Sequence, residues 1–134
     1  MGSTRKNSDL VRVLVVDDED RFRESMLKIL KAEGLDAVAA SGGAEALAEL
    51  ERNDYDVILL DVKMPGMDGI EVLRRLAGRE RRAEVLILTG HASLDTAMKI
   101  VQHGAFGYLL KPCEIDELIV KIEQAYERRL ARIG

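Results

Sequence analysis

Cysteine is almost missing from this 134-residue chain: Cys113 stands alone, so no internal disulfide can staple the fold, and a reducing compartment is the simple expectation. Long apolar runs are missing too. Nothing approaches the roughly 18 uninterrupted apolar residues of a membrane span, so no membrane partner and a cytoplasmic location are expected. There is no basic excess either. A formal charge of −4 and a pI near 5.3 argue against a surface built to hold nucleic acid, so any DNA contact would be a partner's affair. The polar start lacks the apolar core of a signal peptide; residues 1–9 are set aside as disordered or a cloning remnant, leaving residues 10–134 as one domain. Against these absences, 47% hydrophobic and 33% charged residues are enough to build a single core without cross-links.

Short apolar runs alternate with stretches of helical period. Residues 11–16 form a Val- and Leu-rich run, and residues 20–33 then place Phe22, Met26, Ile29 and Leu30 on one helical face. A weaker strand follows at residues 36–39, then a helix around Ala44, Leu47 and Ala48, then the strongly apolar Val57-Ile58-Leu59-Leu60. After the turn Met64-Pro65-Gly66-Met67, Asp68 is placed to cap a third helix in a capping box with Glu71, with Leu73, Leu76 and Ala77 inward. Residues 79–82 read as a solvated charged loop. Residues 85–88 make a fourth strand, and Leu94, Ala97, Met98 and Val101 give a fourth helix the apolar stripe of an amphipathic element that Gly104 can end. Residues 106–110 make the fifth strand. Ile115, Leu118, Ile119 and Ile122 line a fifth helix, whose far end is charged as though exposed.

Strand then helix, repeated five times, implies an α/β fold: a doubly wound, five-stranded parallel sheet with helices on both faces. Residues 13–16 and 57–60 are apolar at every position, as central strands require, while residues 36–39 suit an edge. The strand order is then 2-1-3-4-5, the flavodoxin-like arrangement. Ligands of such sheets sit beyond the carboxyl ends of the strands where the order reverses, here between the first and third strands.

The residues just after the strands are Asp17 and Asp18, Asp61, Thr89 and Lys111, every one polar after an apolar run. Asp17 and Asp18 alone would equally suit an acidic helix start. Three converging carboxylates are another matter, since two unit charges about 4 Å apart repel by roughly 4 kcal/mol at an effective dielectric near 20. Lys111 supplies one compensating charge, and an all-oxygen acidic site suits Mg²⁺ or Mn²⁺ better than zinc. A carboxylate beside a hard dication and a lysine is equipped for phosphoryl transfer. Asp61, alone after the most apolar strand, is the candidate nucleophile; Asp17 and Asp18 serve the cation, Lys111 is the phosphate counter-ion, and the Thr89 hydroxyl can bond a phosphoryl oxygen.

Four separated stretches carry a resemblance: Val15-Val16-Asp17-Asp18-Glu19-Asp20, Leu60-Asp61-Val62-Lys63-Met64-Pro65-Gly66-Met67-Asp68-Gly69, Leu88-Thr89-Gly90-His91, and Gly104-Ala105-Phe106-Gly107-Tyr108-Leu109-Leu110-Lys111-Pro112. In order and placement they resemble the receiver domains of two-component response regulators, over about residues 11–128. The resemblance implies a phosphorylation-dependent signalling switch whose phosphoacceptor is Asp61 and whose donor is a sensor histidine kinase or phosphotransfer protein. Chemistry would extend only to the domain's own phosphorylation and dephosphorylation. It implies Mg²⁺ held by Asp18, Asp61 and the main-chain carbonyl of Lys63, with Asp17 acting largely through water. Thr89 and Tyr108 would be the switch pair, and a cis peptide at Lys111-Pro112 would aim the lysine inward. Lys63 and His91 would border the path of hydrolytic water and tune the lifetime of the phosphoryl group. The altered surface would be the fourth helix, fifth strand and fifth helix, offered to an output domain, a partner or a homodimer. The Thr-Gly-His and Gly-Ala-Phe stretches lean toward receivers of ATPase or helix-turn-helix transcription regulators. Cys113 departs from the Phe common after that proline.

Competing readings are weaker on the residues. A phosphohydrolase of the haloacid-dehalogenase kind wants an Asp-x-Asp pattern followed by Thr or Val after the first strand, and here Asp18-Glu19-Asp20 is followed by Arg21. A flavin carrier of the same fold wants a hydroxyl- and glycine-rich phosphate loop where this chain has acids. A pseudo-receiver loses an acidic or lysine position, and none is lost.

Overall fold

The structure, a computed structural model, describes residues 10–62, 68–79, 82–90 and 93–133. The residues set aside at 1–9, the turn at 64–67, Lys63, His91 and residues 80–81 lie outside the described residues. Within them the elements run β1 (Arg12–Val16), α1 (Asp20–Ala32), β2 (Asp36–Ala40), α2 (Gly43–Arg52), β3 (Val57–Leu60), α3 (Gly69–Leu76), β4 (Glu84–Thr89), α4 (Leu94–Gln102), β5 (Gly107–Leu110) and α5 (Ile115–Ile133). All five strands pair in parallel, in the order β2-β1-β3-β4-β5. The doubly wound reading and the edge position of β2 are therefore correct.

Side chains of a strand alternate between faces, so each central strand feeds two cores. Leu14, Val16, Ile58, Leu60, Val85 and Ile87 pack with Ala46, Leu73, Leu76 and Ile100 of α2, α3 and α4. Val13, Val15, Val57, Leu59, Leu86 and Leu88 pack with Met26, Leu30, Leu118 and Ile122 of α1 and α5. Val57–Leu60 is buried along its whole length, which explains why the sequence there is apolar without alternation.

Several local expectations change. On α4 the stripe faces solvent: Leu94 is 78% exposed, Met98 51% and Val101 72%, and the buried contact is Ile100. On α2 the buried residues are Gly43 and Ala46, with Leu47 partly covered, while Ala44 and Ala48 point outward. Ala77 is the exposed C-cap of α3 and not a core residue. The capping box is half formed. Asp68 accepts from the Glu71 N–H at 2.9 Å, but the Glu71 carboxylate turns to Arg74 and Arg75 and not back to the cap. Phe106 precedes β5, although its N–H already bonds the Val85 carbonyl at 2.8 Å. Gly104 ends α4 as expected, with φ of 84°, a left-handed conformation in which a side chain is strained.

Two further expectations hold only in part: Arg79 is exposed, as are Glu127, Arg128, Leu130 and Ala131 of α5, but neighbouring residues are docked. Within the far end of α5 two arginines are docked: Arg129 is 5% exposed and donates to Asp56 Oδ1 at 2.8 Å, and Arg132 donates to Glu84 Oε2 at 3.0 Å and to the Arg82 carbonyl at 2.7 Å. The stretch read as a solvated loop therefore supplies an acceptor to α5 at Arg82, while Arg79 pairs with Glu51 at 3.3 Å. No described helix is long and apolar enough to cross a membrane.

Candidate functional site

Strand register assembles the site before any side chain is considered. Val16 lies opposite Leu60, so Asp17 and Asp61, each one residue further on, leave adjacent strands side by side, and the Asp61 N–H bonds the Val16 carbonyl at 3.1 Å. Thr89 lies opposite Leu110, and the Lys111 N–H bonds the Thr89 carbonyl at 2.8 Å. Four polar residues of three chemical kinds, two carboxylates, a hydroxyl and an ammonium, thus end on one rim of the sheet, at and beside the point where the strand order reverses.

Asp17 is 2% exposed and divides its carboxylate. Oδ1 accepts from the Glu19 N–H at 2.9 Å, the helix-start role open to an acidic pair, while Oδ2 accepts from Lys111 Nζ at 2.5 Å. Asp61 is 9% exposed; its Oδ1 accepts from Thr89 Oγ at 3.0 Å, and its Oδ2 lies 3.5 Å from Lys111 Nζ. Asp18 is exposed. One carboxylate oxygen from each of Asp17, Asp18 and Asp61 falls within 4.8 Å of the others. That spacing is comparable with the roughly 4.2 Å across an octahedron of Mg²⁺–oxygen bonds, and the donors are oxygen alone, without His or Cys. The three residues fit a hard dication, and Lys111 offsets only part of their charge.

Lys111 is joined to Pro112 by a cis peptide bond. Tyr108 does not join the cluster: it lies on β5 opposite Ile87 with 42% of its surface exposed. Cys113 is partly buried; burial pushes its thiol up, and Glu117 and Glu114 push the same way, so it is a poor nucleophile. The Lys63 carbonyl and the Lys63 and His91 side chains lie outside the described residues.

Two contributors escaped the sequence reading. Phe22, assigned to the inward face of the first helix, lies with its ring centroid 3.9 Å from Lys111 Nζ. Gly69 opens α3 against the backbone of Asp61: a Cβ there would stand 2.6 Å from the Asp61 carbonyl oxygen and 2.7 Å from Val62 Cα. Both obstacles are backbone, so Gly69→Ala must move the chain that carries Asp61. We expect a loss of about 1–3 kcal/mol in urea denaturation. Because displacements near 1 Å can cost about a hundredfold in rate, any reaction in which the Asp61 carboxylate takes part should slow by at least about tenfold.

Residues 13–123 match the family described as response regulator receiver domain. The DNA-binding transcriptional regulator NtrC of Escherichia coli K12 is 41% identical over 113 residues, 84% of this chain and 24% of the relative. The regulatory protein AtoC of the same strain is 35% identical over 116 residues, 87% of this chain and 25% of the relative. The chain thus spans about a quarter of the length of the curated relatives it matches. Among solved structures, a CheY-like response regulator receiver domain protein from Methanospirillum hungatei JF-1 superposes with a TM-score of 0.85 at 30% identity, covering 91% of this chain and 98% of its own.

Proposed function

This chain belongs to the response regulator receiver domain family, and from that footing we propose that it is a phosphorylation-dependent switch in which Asp61 takes a phosphoryl group from a phosphohistidine donor. The observation that carries the reading is the meeting of Asp17, Asp18 and Asp61 with Lys111 Nζ and the Thr89 hydroxyl on one rim. An Asp61 oxygen attacks phosphorus in line; the new P–O bond forms as the P–N bond to the donor imidazole breaks, and the imidazole leaves with the electron pair. Lys111 Nζ, already between Asp17 and Asp61, is placed to pair with a phosphoryl oxygen. Thr89 Oγ, now donating to Asp61, is placed to turn its hydrogen bond to that oxygen. Asp17, Asp18 and Asp61 would hold Mg²⁺ or Mn²⁺, with the Lys63 carbonyl as a further ligand, and the bound ion supplies charge neutralisation at the phosphoryl group. Hydrolysis of the acyl phosphate returns the switch, with Lys63 and His91 tuning its rate.

Thr89 ends β4 directly before the segment that leads to α4. Withdrawal of its hydroxyl toward phosphate would pull that segment, and Tyr108 would turn into the space released. The readout would be the α4-β5-α5 face, where Leu94, Met98, Val101, Tyr108 and Leu110 are exposed, and where an output domain or a second copy could sit. Transcription control, named for NtrC, would belong to parts of the relatives that this chain does not span. A sensor histidine kinase or phosphotransfer protein is the donor, in the cytoplasm.

The test is intact mass after incubation with acetyl phosphate and Mg²⁺. A labile, phosphate-sized gain that needs the metal supports the reading; an unchanged mass under all conditions sinks it. Mg²⁺ alone should also act, because an ion that binds the folded acidic cluster and not the unfolded chain stabilises by about 2.7 kcal/mol at a hundredfold excess over its dissociation constant. Differential scanning calorimetry should then show a rise in Tm on the order of 10 °C over a chelated sample.

A further inference from the structure

Lys111 carries a long flexible stem, and an ammonium on four methylenes does not hold one position unless its surroundings do. On one side it is held by charge, with Asp17 Oδ2 at 2.5 Å and Asp61 Oδ2 at 3.5 Å. Carboxylates alone leave the remaining directions open to water, and the side chain is 20% exposed. The Phe22 ring closes one of those directions, its centroid 3.9 Å from Nζ.

Phe22 is itself partly buried. It is the third residue of α1, and it packs with the apolar side of the sheet shared by α1 and α5. It also forms a wall, with Met26, Ile29, Cys113 and Ile115, of an apolar cleft between those two helices. A ring face attracts an ammonium through its quadrupole but offers no hydrogen-bond acceptor. It can therefore confine Nζ without competing for the donors that a phosphoryl group must receive. A carboxylate in the same place would hold the lysine and spoil it.

We infer that Phe22 is a positioning residue for Lys111, fixing its ammonium between Asp17 and Asp61 so that it meets an incoming phosphoryl group at the acceptor. The inference rests on the reading of Asp61 as phosphoacceptor. Its mark is selectivity. The Phe22 ring meets Lys111 Nζ and, as a hydrocarbon, offers a cation no oxygen ligand, so losing the ring weakens the grip on phosphoryl and spares the metal.

The experiment compares the wild-type chain with Phe22→Leu, which keeps apolar bulk without a π face, and Phe22→Tyr, which keeps the face. Beryllofluoride in saturating Mg²⁺ is the phosphoryl probe, titrated by heat or by amide NMR shifts, and Mg²⁺ alone is titrated separately. Phe22→Leu should raise the half-saturating beryllofluoride concentration by about three- to tenfold, leave the Mg²⁺ constant within about twofold of wild type, and be rescued by Phe22→Tyr. Equal beryllofluoride affinity in the leucine variant, or a parallel loss of Mg²⁺ affinity, overturns the inference. A second readout needs neither metal nor phosphoryl mimic: the Lys111 ε-methylene protons should be shifted upfield by the ring current in wild type and Phe22→Tyr and relax toward ordinary values in Phe22→Leu. If wild type ignores beryllofluoride, the phosphoacceptor reading falls, while the lysine resonances still decide whether Phe22 holds Nζ. Wild-type ε protons at ordinary shifts overturn the inference outright.

Discussion

Replacing Asp61 with asparagine is expected to abolish phosphoryl uptake, a loss of at least roughly a thousandfold, because an amide oxygen cannot act as the carboxylate nucleophile. Asp17 and Asp18 stand too close by for a trivial result, since each has a carboxylate oxygen within 4.8 Å of one of Asp61. Their geometry argues that they cannot substitute: Asp17 is already committed to the Glu19 N–H and Lys111, and the Thr89 hydroxyl points at Asp61. The variant should nevertheless fold better without metal. With oxygens no more than 4.8 Å apart, each carboxylate pair repels by about 3.5 kcal/mol or more at an effective dielectric of 20, a cost that Lys111 and solvent partly offset, so removing one charge should stabilise by about 1 kcal/mol. Mg²⁺ binding should weaken by at least about tenfold, the loss that follows even from removing an outer partner of a metal ligand. Intact mass, urea denaturation in chelator and a Mg²⁺ titration check the three parts. A phosphorylated Asp61→Asn chain would move the acceptor to Asp17 or Asp18 and refute the assignment, and lower stability without metal would mean that Lys111 outweighs the repulsion.

Arg129→Ala should be the most damaging change far from the site. The guanidinium is 5% exposed, bonds Asp56 Oδ1 at 2.8 Å and reaches the Arg82 carbonyl at 3.4 Å. Truncation leaves the mostly buried Asp56 carboxylate short of a partner and opens a cavity under the last turns of α5, while the Arg82 carbonyl keeps its 2.7 Å bond from Arg132. Breaking a buried ion pair from one side costs about 3–5 kcal/mol, a large share of a typical domain stability of about 5–15 kcal/mol. Asp56 keeps the Arg12 N–H at 2.9 Å, which favours the lower end of that range. A midpoint fall on the order of 10 °C is expected by calorimetry, with an unchanged slope in urea. Pairing Arg129→Met with Asp56→Leu should recover much of the loss, since apolar groups of similar volume replace buried ion pairs at little cost. A single-variant loss under about 1 kcal/mol would mean that the clamp behaves like a surface pair.

The two variants probe opposite ends of the sheet, and the sequence read those ends unequally well. At the carboxyl end, each strand is an apolar run closed by one polar residue, and parallel register brings residues at the same offset together. Asp17, Asp61, Thr89 and Lys111 were therefore legible once the runs were recognised. At the other end, Asp56, Glu84, Arg129 and Arg132 meet across 48 to 73 positions of sequence, without motif or fixed spacing. Glu84 opens a wholly buried strand with its side chain sealed against α5, and the charged residues of that helix gave no sign of which would be covered.

The same limit explains α4. Helical periodicity states which residues share a face, and Leu94, Met98 and Val101 do share one; it does not state whether another element covers that face. In the folded chain the cover falls on Ile100, and the stripe is left to solvent. By itself, the sequence determined the alternation of elements, the parallel order of the sheet and which side chains gather on its carboxyl rim, because each follows from local pattern and backbone pairing. Only tertiary structure decided what covers what: which face of α4 is free, which arginines of α5 are buried, that Gly69 abuts the backbone of Asp61, and that the Phe22 ring lies against Lys111. Those depend on packing in three dimensions between residues that local pattern treats as unrelated.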